Sequence, residues 1–316
     1  MNRVEYFRNF NIGEEINLAG SFAYNAISIL NTTQDIYQND QLFLFLYNAA
    51  VGVERMQKCV LFMYGDYDES TINQFTEKLK SHGHQKLHDI IIDYTGLKLP
   101  KDQNALLLLL QDYYAQGRYS NFSFTNDYDY KSHFEDYVKI CYGESMVEYD
   151  IFGENTFVTE KAKEYIGRTL GKLLNSYYEL VRKKAHELNL YTYELRTGSP
   201  AEKVFLNHFP KRSLQAVNDN ERISLAELII FLTNSIETTG FIDFVHSISP
   251  LELDPYMIQD FLVDIMNRQI PQDLVDTVTE IYANMSPKAV QERKEMISVI
   301  GASNVIFFEE EDYDDE

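Results

Sequence analysis

The sequence predicts an all-α protein. Glycine and proline are scarce, at 14 and 7 of 316 residues, which favours helices over turns and hairpins. The segment from Gln41 to Gly65 is the longest nearly uninterrupted apolar run, and it is too long for a β-strand. Its first half is apolar on every side, which is typical of a helix enclosed by other helices. Capping residues followed by proline mark helix starts in the second half of the chain: Ser199-Pro200, Ser249-Pro250, Asp254-Pro255 and Ser286-Pro287.

Apolar spacing and capping signals predict the other helices. Residues 1–14 are polar and aromatic, and we expect an irregular arm there. Residues 117–132 are aperiodic and predict a long loop. Gly65 is expected to end the central helix in the left-handed conformation. The predicted helices are 15–37, 41–65, 71–81, 84–94, 103–116, 159–190, 200–208, 224–238, 254–268, 272–285 and 287–299.

Chain length and charge suggest how the protein is divided. A chain of 316 residues is long enough for about two domains, and we place the boundary at 150–157. The predicted parts are a helical bundle at 1–150, a second helical domain at 158–300 and a disordered acidic tail at 301–316. The net charge is −21, and residues 309–316 supply seven of the negative charges. Such a protein repels nucleic acid unless its basic residues are segregated.

The sequence predicts a cytoplasmic protein. Cys59 and Cys141 are the two cysteines. Because they set no disulfide framework, we expect reduced thiols. The central apolar run carries Glu54, Arg55 and Lys58, so we do not expect it to span a membrane. The first residues contain no apolar segment typical of a signal peptide.

Residues 15–125 resemble the HEPN superfamily, the "higher eukaryotes and prokaryotes nucleotide-binding" helical bundles. The long apolar helix carries Glu54-Arg-Met-Gln-Lys58, and His88-Asp89 opens a shorter helix after a linker. The next helix ends in an aromatic turn that contains Arg118. The resemblance implies a bundle of four to five helices. It also implies either a metal-independent ribonuclease that acts as a dimer, or a non-catalytic component of a prokaryotic defence or toxin–antitoxin system.

The nuclease members of that family have an arginine and a histidine separated by four to six residues, and no arginine of this chain has a histidine at the required spacing. This departure favours a non-enzymatic interaction module that binds a protein partner. Arg182 and His186 come closest. Only three residues lie between them, which is one fewer than the family motif has, and the two side chains share one helix face.

The helix that holds Arg182 and His186 is locally basic. Residues 160–186 contain seven basic residues against three acids. One hypothesis is a helix that faces RNA, on which Arg182 stabilises a phosphate and His186 transfers a proton. The alternative is a solvated face whose bases pair with acids of the same protein. The first hypothesis makes Arg182 and His186 catalytic, with Tyr178, Lys172 and Lys183 as binding residues.

Two further groups are candidates for binding. Tyr193, Glu194 and Arg196 precede the strongly capped helix start at Ser199, where an anion could bind; the alternative is an ordinary corner between helices. Arg118 is the candidate in the aromatic turn. His82, His84 and His88 lie near Asp89. They lack a glutamate between them and a nearby cysteine, so they predict structural histidines rather than a metal site. No cofactor is expected.

The sequence therefore leaves three functions open. The first is a non-enzymatic interaction module. The second is a homodimeric ribonuclease that uses Arg182 and His186. The third is an acidic inhibitor that imitates nucleic acid through the tail at 309–316.

Overall fold

A computed structural model confirms the all-α class. The chain is 74% helical, and the described strands form a single two-stranded sheet. The structure describes residues 1–316 apart from 34, 38–39, 81–82, 126, 152–155, 207–213, 235–238, 268–269, 301, 303–304, 306–316 and the side chains at 219 and 220. The predicted acidic tail therefore lies almost wholly outside the described residues. The chain forms two compact units, Met1–Asp219 and Asn220–Glu316.

Along the chain, a short β-hairpin separates a first group of helices from a second group. The first eight elements are α1 (Arg3–Tyr6), α2 (Ile12–Thr32), α3 (Gln41–Tyr64), α4 (Ile72–Lys80), α5 (His84–Thr95), α6 (Lys101–Asp112), α7 (Tyr130–Tyr142) and β1 (Val147–Tyr149). The others are β2 (Thr156–Val158), α8 (Glu160–Glu187), α9 (Pro200–Phe205), α10 (Gln215–Asn234), α11 (Gly240–Ser247), α12 (Ile258–Met266), α13 (Gln272–Ala283) and α14 (Pro287–Ser298).

Helix α3 lies at the centre of the N-terminal unit, as the sequence predicts. It packs against α2, α5, α6 and α8. Its buried side chains include Phe45, Leu46, Val53, Met56 and Val60. Each fully buried side chain of this size contributes roughly 1.5–3 kcal/mol before the cost of ordering the chain. The apolar character of α3 on every side follows from this enclosure.

The arm at the N-terminus is helical, and the prediction of an irregular segment is wrong. Asn2 and Glu5 form a capping box that starts α1, and a π-helical segment, Phe7–Asn11, joins α1 to α2. Arg8 fastens the arm to the end of α3, because its guanidinium donates to the carbonyls of Gly65 (2.7 Å) and Phe62 (3.1 Å). These contacts give residues 3–11 a surface to fold against.

Helix α2 ends at Thr32, five residues before the predicted end at residue 37.

Gly65 ends α3, but not in the predicted left-handed conformation. Its φ is −64° and its ψ is 148°, which is extended backbone. A Cβ at this position would lie 2.5 Å from the ring of Phe75. Glycine is therefore required here by the close approach of a ring rather than by the backbone angle.

Residues 117–158 are more ordered than predicted. A short 3₁₀ turn, Ser120–Phe122, interrupts the predicted loop, and α7 begins at Tyr130. Strands β1 and β2 pair antiparallel, with Val147 opposite Val158. The predicted domain boundary at 150–157 falls inside the N-terminal unit, because α8 continues directly from β2 and packs against α3.

The C-terminal unit begins within α10, and it contains α11 to α14. Helix α10 starts at Gln215, nine residues before the predicted start at 224. Helix α11, which is capped by Thr239, was not predicted. Helices α13 and α14 start at the predicted residues 272 and 287.

Helix α9 lies directly against α2 at Gly20. A Cβ on Gly20 would be 2.4 Å from both Cα and Cβ of Ala201. On Gly13, in the same helix, the nearest atom to an added Cβ is a carbonyl oxygen at 3.7 Å, which is an ordinary contact. An added methyl group would therefore clash with α9 at position 20, whereas it would fit at position 13.

We expect Gly20→Ala to lower the free energy of unfolding by about 1–3 kcal/mol, because the new methyl group forces α9 away from α2. Gly13→Ala is the matched control and should stabilise the protein by up to about 1 kcal/mol, since alanine favours helix. Chemical denaturation of both variants measures the difference. Equal effects of the two substitutions would contradict the described contact between α2 and α9.

Candidate functional site

Five of the nine predicted site residues line one open groove in the N-terminal unit. Tyr178, Arg182 and His186 lie on successive turns of α8, and Tyr193 and Glu194 follow the end of that helix. Leu195 and Leu206 complete the lining of a cavity of about 540 Å³. The groove brings together residues of two groups that the sequence analysis treated separately, the face of α8 and the segment after it.

Local contacts hold the groove in shape. The Tyr178 hydroxyl donates to the carbonyl of Tyr193 at 2.7 Å, and its ring stacks on Phe205 with the centroids 4.7 Å apart. The ring centroids of His186 and Tyr193 are 4.4 Å apart. Burial raises the pKa of Tyr178 to about 12, so this hydroxyl stays protonated near neutral pH and serves as a donor. Among these residues, His186 places an exposed imidazole in the groove.

Arg182 has an acidic partner on its own helix. Its Nη1 lies 3.1 Å from Oε1 of Glu179, and both side chains are about half exposed. A phosphate that approached Arg182 would meet a guanidinium already paired with a carboxylate. The groove can offer an imidazole beside an arginine, but the charge on that arginine is partly offset.

The other four predicted residues lie outside the groove. Lys172 and Lys183 are exposed on α8. Arg196 binds both carboxylate oxygens of Glu14 at 3.0 Å, which ties the segment after α8 to α2. Arg118 lies over the rings of Tyr114 and Tyr119, with its Cζ 4.2 and 4.7 Å from the centroids. Arg196 therefore has a structural partner, and Arg118 belongs to a separate aromatic cluster.

The charge of the basic helix is partly paired within the helix, although bases still outnumber acids there. Of the seven basic residues between 160 and 186, four pair with glutamates three or four positions away. The pairs are Lys163–Glu160, Arg168–Glu164, Arg182–Glu179 and Lys184–Glu187. Exposed pairs of this kind contribute little stability, but they lower the positive potential that would attract RNA. RNA binding by residues 160–186 stays a prediction.

The histidines considered for metal binding are buried hydrogen-bonding groups. His84 and His88 are each only 2% exposed. The Nε2 of His84 donates to the carbonyl of Ala50 at 2.9 Å. Gln57 donates to the Tyr177 hydroxyl at 3.1 Å, and that hydroxyl is 3.0 Å from Nδ1 of His88. Among the described residues, no group of three or more possible metal ligands occurs, and His82 lies outside them.

A second groove was missed by the sequence analysis. It lies between the N-terminal arm and α3 and has a volume of about 800 Å³. Tyr6 and Phe10 form part of its lining, and Arg55 and Lys58 of α3 pair there with Glu15 and Glu54. The helical spacing of Tyr6, Phe7 and Phe10 was the available signal, but the arm was expected to be irregular. Because its central cations are already paired, this groove shows no preference for an anion.

Exposed apolar side chains distinguish the C-terminal unit. Among its described hydrophobic residues, Ile242 and Phe261 are buried. Large residues that remain exposed are Ile223, Leu228, Ile230, Phe231, Leu232, Tyr256, Ile258, Val263, Ile270, Val275, Met296, Ile297, Ile300 and Val305. We call these the exposed apolar set. Contiguous exposed apolar residues mark interaction sites on proteins, and Ile230, Phe231 and Leu232 of this set are consecutive in the chain.

Comparison with known proteins adds no assignment. No protein-family model matches the chain, and searches of the curated proteins and of the solved structures found no match. The relation to HEPN proteins therefore stays a prediction. Among the described residues, no helix has the length and apolar composition needed to cross a membrane.

The two buried histidines should make stability depend on pH. Burial lowers the pKa of His84 and of His88 below the ordinary histidine value, which is about 6.5. The folded protein thus binds fewer protons at these sites than the unfolded chain. The free energy of unfolding is retained above about pH 6.5 and decreases as the pH falls below it.

We expect the thermal midpoint of wild-type protein to fall more between about pH 7.5 and pH 5.5 than that of His84→Gln/His88→Gln. The quantity compared is the change of the thermal midpoint with pH rather than the midpoint itself, because the double variant also loses core contacts. The exposed His133 provides the control, and His133→Gln should keep the wild-type slope. Equal slopes for wild type and double variant would contradict the described burial.

Proposed function

We propose that the chain is a non-enzymatic interaction module whose C-terminal unit binds another protein. The observation that carries the proposal is the exposed apolar set. Covering one such side chain removes apolar surface from water and contributes roughly 1.5–3 kcal/mol. A few of these residues at the centre of an interface are enough to hold a partner.

Helix α10 is the strongest part of this surface. Ile230, Phe231 and Leu232 are consecutive and all exposed, so by helical geometry they point in directions about 100° apart. Leu228, one turn earlier, is also exposed. A helix that is apolar on every side is normally enclosed. We therefore infer that the partner supplies a groove around α10 rather than a flat face.

The pairing of four α8 bases with glutamates of the same helix supports the same choice among the functions left open. The resemblance to HEPN proteins would place such a module in a prokaryotic defence or toxin–antitoxin system, and that setting is part of the proposal. The acidic inhibitor depends on the tail at 309–316, which lies outside the described residues, and it stays a prediction.

A photo-crosslinking amino acid placed at Phe231 should capture a protein partner in the native cell. Phe122 of the N-terminal unit is the control, because it is 87% exposed whereas Phe231 is 45% exposed. Random collisions would therefore label position 122 more than position 231. Mass spectrometry identifies the captured protein, and binding is then measured with both proteins purified. Absence of a product specific to position 231 would overturn the proposed function.

A ribonuclease is the second candidate function, because the groove gathers Arg182, His186 and Tyr178. We expect purified protein to leave RNA intact in the presence of EDTA, since Glu179 pairs with Arg182. Cleavage that His186→Ala abolishes, while His133→Ala retains it, would overturn this expectation and establish the nuclease. Circular dichroism of both variants checks that the fold is kept.

A further inference from the structure

We infer that a basic, amphipathic protein segment binds α12 and α13, where exposed acids and exposed apolar side chains alternate. This inference rests on the proposed function and specifies the chemistry of the partner. It starts from the distribution of charge between the two units. The C-terminal unit, Asn220–Glu316, contains 20 acidic and 5 basic residues, so it carries −15 of the total net charge of −21.

The imbalance is sharpest where the apolar side chains are exposed. Residues 223–283 contain ten acidic residues and one basic residue. On α12 and α13, the exposed acids Asp260, Asp273, Asp276 and Glu280 lie among exposed Ile258, Val263 and Val275. This combination of apolar anchors with one sign of charge favours a partner that has apolar residues and the opposite charge.

The basic residues of α14 do not neutralise these acids. Lys288 pairs with Glu292 of the same helix at 3.5 Å. Arg293 donates to the carbonyl of Ser249 at 2.8 Å, and Lys294 lies over the ring of Tyr282. Each of the three is thus engaged within the unit.

Charge also argues against the other occupants. A second copy would bring two surfaces of the same strongly negative charge together, and like charges weaken an interface. Nucleic acid would add phosphates to an acidic surface. A basic segment instead relieves the repulsion among the acids of α12 and α13 while its apolar side covers Ile258, Val263 and Val275 of the same helices.

The test uses the full chain and two synthetic helical peptides of about 18 residues, which span about 27 Å. Both have leucine at the same helical positions. Their remaining positions are lysine in one peptide and glutamate in the other. Fluorescence anisotropy gives the dissociation constants at low salt and at about 0.15 M salt, where screening acts over about 8 Å.

We expect the lysine peptide to bind at least about 30-fold more tightly than the glutamate peptide, and to bind more weakly as salt rises. Ile258→Ser/Val275→Ser should weaken its binding by about tenfold or more, because the apolar anchors beside the acids are lost. Asp276→Asn/Glu280→Gln should weaken it by about threefold to tenfold, because rim charges contribute less than buried anchors.

Matched controls lie in the N-terminal unit. Phe122→Ser/Phe124→Ser removes two exposed rings, and Asp93→Asn/Glu148→Gln removes two exposed acids. Neither should change the dissociation constant of the lysine peptide more than about twofold, as is usual for surface residues outside an interface.

Three results would overturn the inference. They are equal binding of both peptides, equal weakening by the acid variants of the two units, and no peptide binding by a chain whose self-association in sedimentation is abolished by Ile258→Ser/Val275→Ser. The last result would assign α12 and α13 to a second copy. All three leave the crosslinking result at Phe231 of α10 standing, so failure of this inference is distinguishable from failure of the proposed function.

Discussion

The N-terminal unit depends on a buried polar contact in the middle of its apolar core. Gln57 lies on α3 and is fully buried, and its amide donates to the carbonyl of His84 and to the hydroxyl of Tyr177. These two partners belong to α5 and α8, so one side chain joins three helices. Because Gln57 uses both amide hydrogens as donors, the Tyr177 hydroxyl is left to donate to Nδ1 of His88. Protonation of His88 would remove that acceptor, and a buried donor without a partner is costly.

The parts of the fold set by local pattern could be predicted, and those set by distant contacts could not. The extents of α3 and α8 follow from long apolar periodicity, which survives any tertiary arrangement. Helix α7 was missed because its buried residues, Phe134, Tyr137 and Val138, are few and stand among polar residues. The π-helical arm needs Arg8 to reach the end of α3, a contact between residues more than fifty positions apart.

In the candidate site too, residues related by local spacing could be predicted, and features that depend on distant contacts could not. Arg182, His186 and Tyr178 could be grouped because helical spacing places them on one face, and Tyr193 lies close because the chain turns back after α8. Glu179 also lies within that local range, and its contact with Arg182 fits the alternative in which bases of the helix pair with acids of the same protein. The exposure of Phe231 could not be foreseen, since an apolar run in a sequence does not reveal which surface covers it.

The contacts of the arm join residues that the ribosome makes at widely separated times. Thr192 donates to the carbonyl of Arg8 from 184 positions away, and the amide of Tyr191 donates to the side chain of Asn9. At ordinary rates of translation a ribosome needs roughly ten to forty seconds to make the intervening residues. Helices α2 and α3 are complete well before α8 and α9 are made. The apolar faces of α2 and α3 that α9 and α8 later cover therefore stay exposed on the nascent chain for part of that time, which favours aggregation.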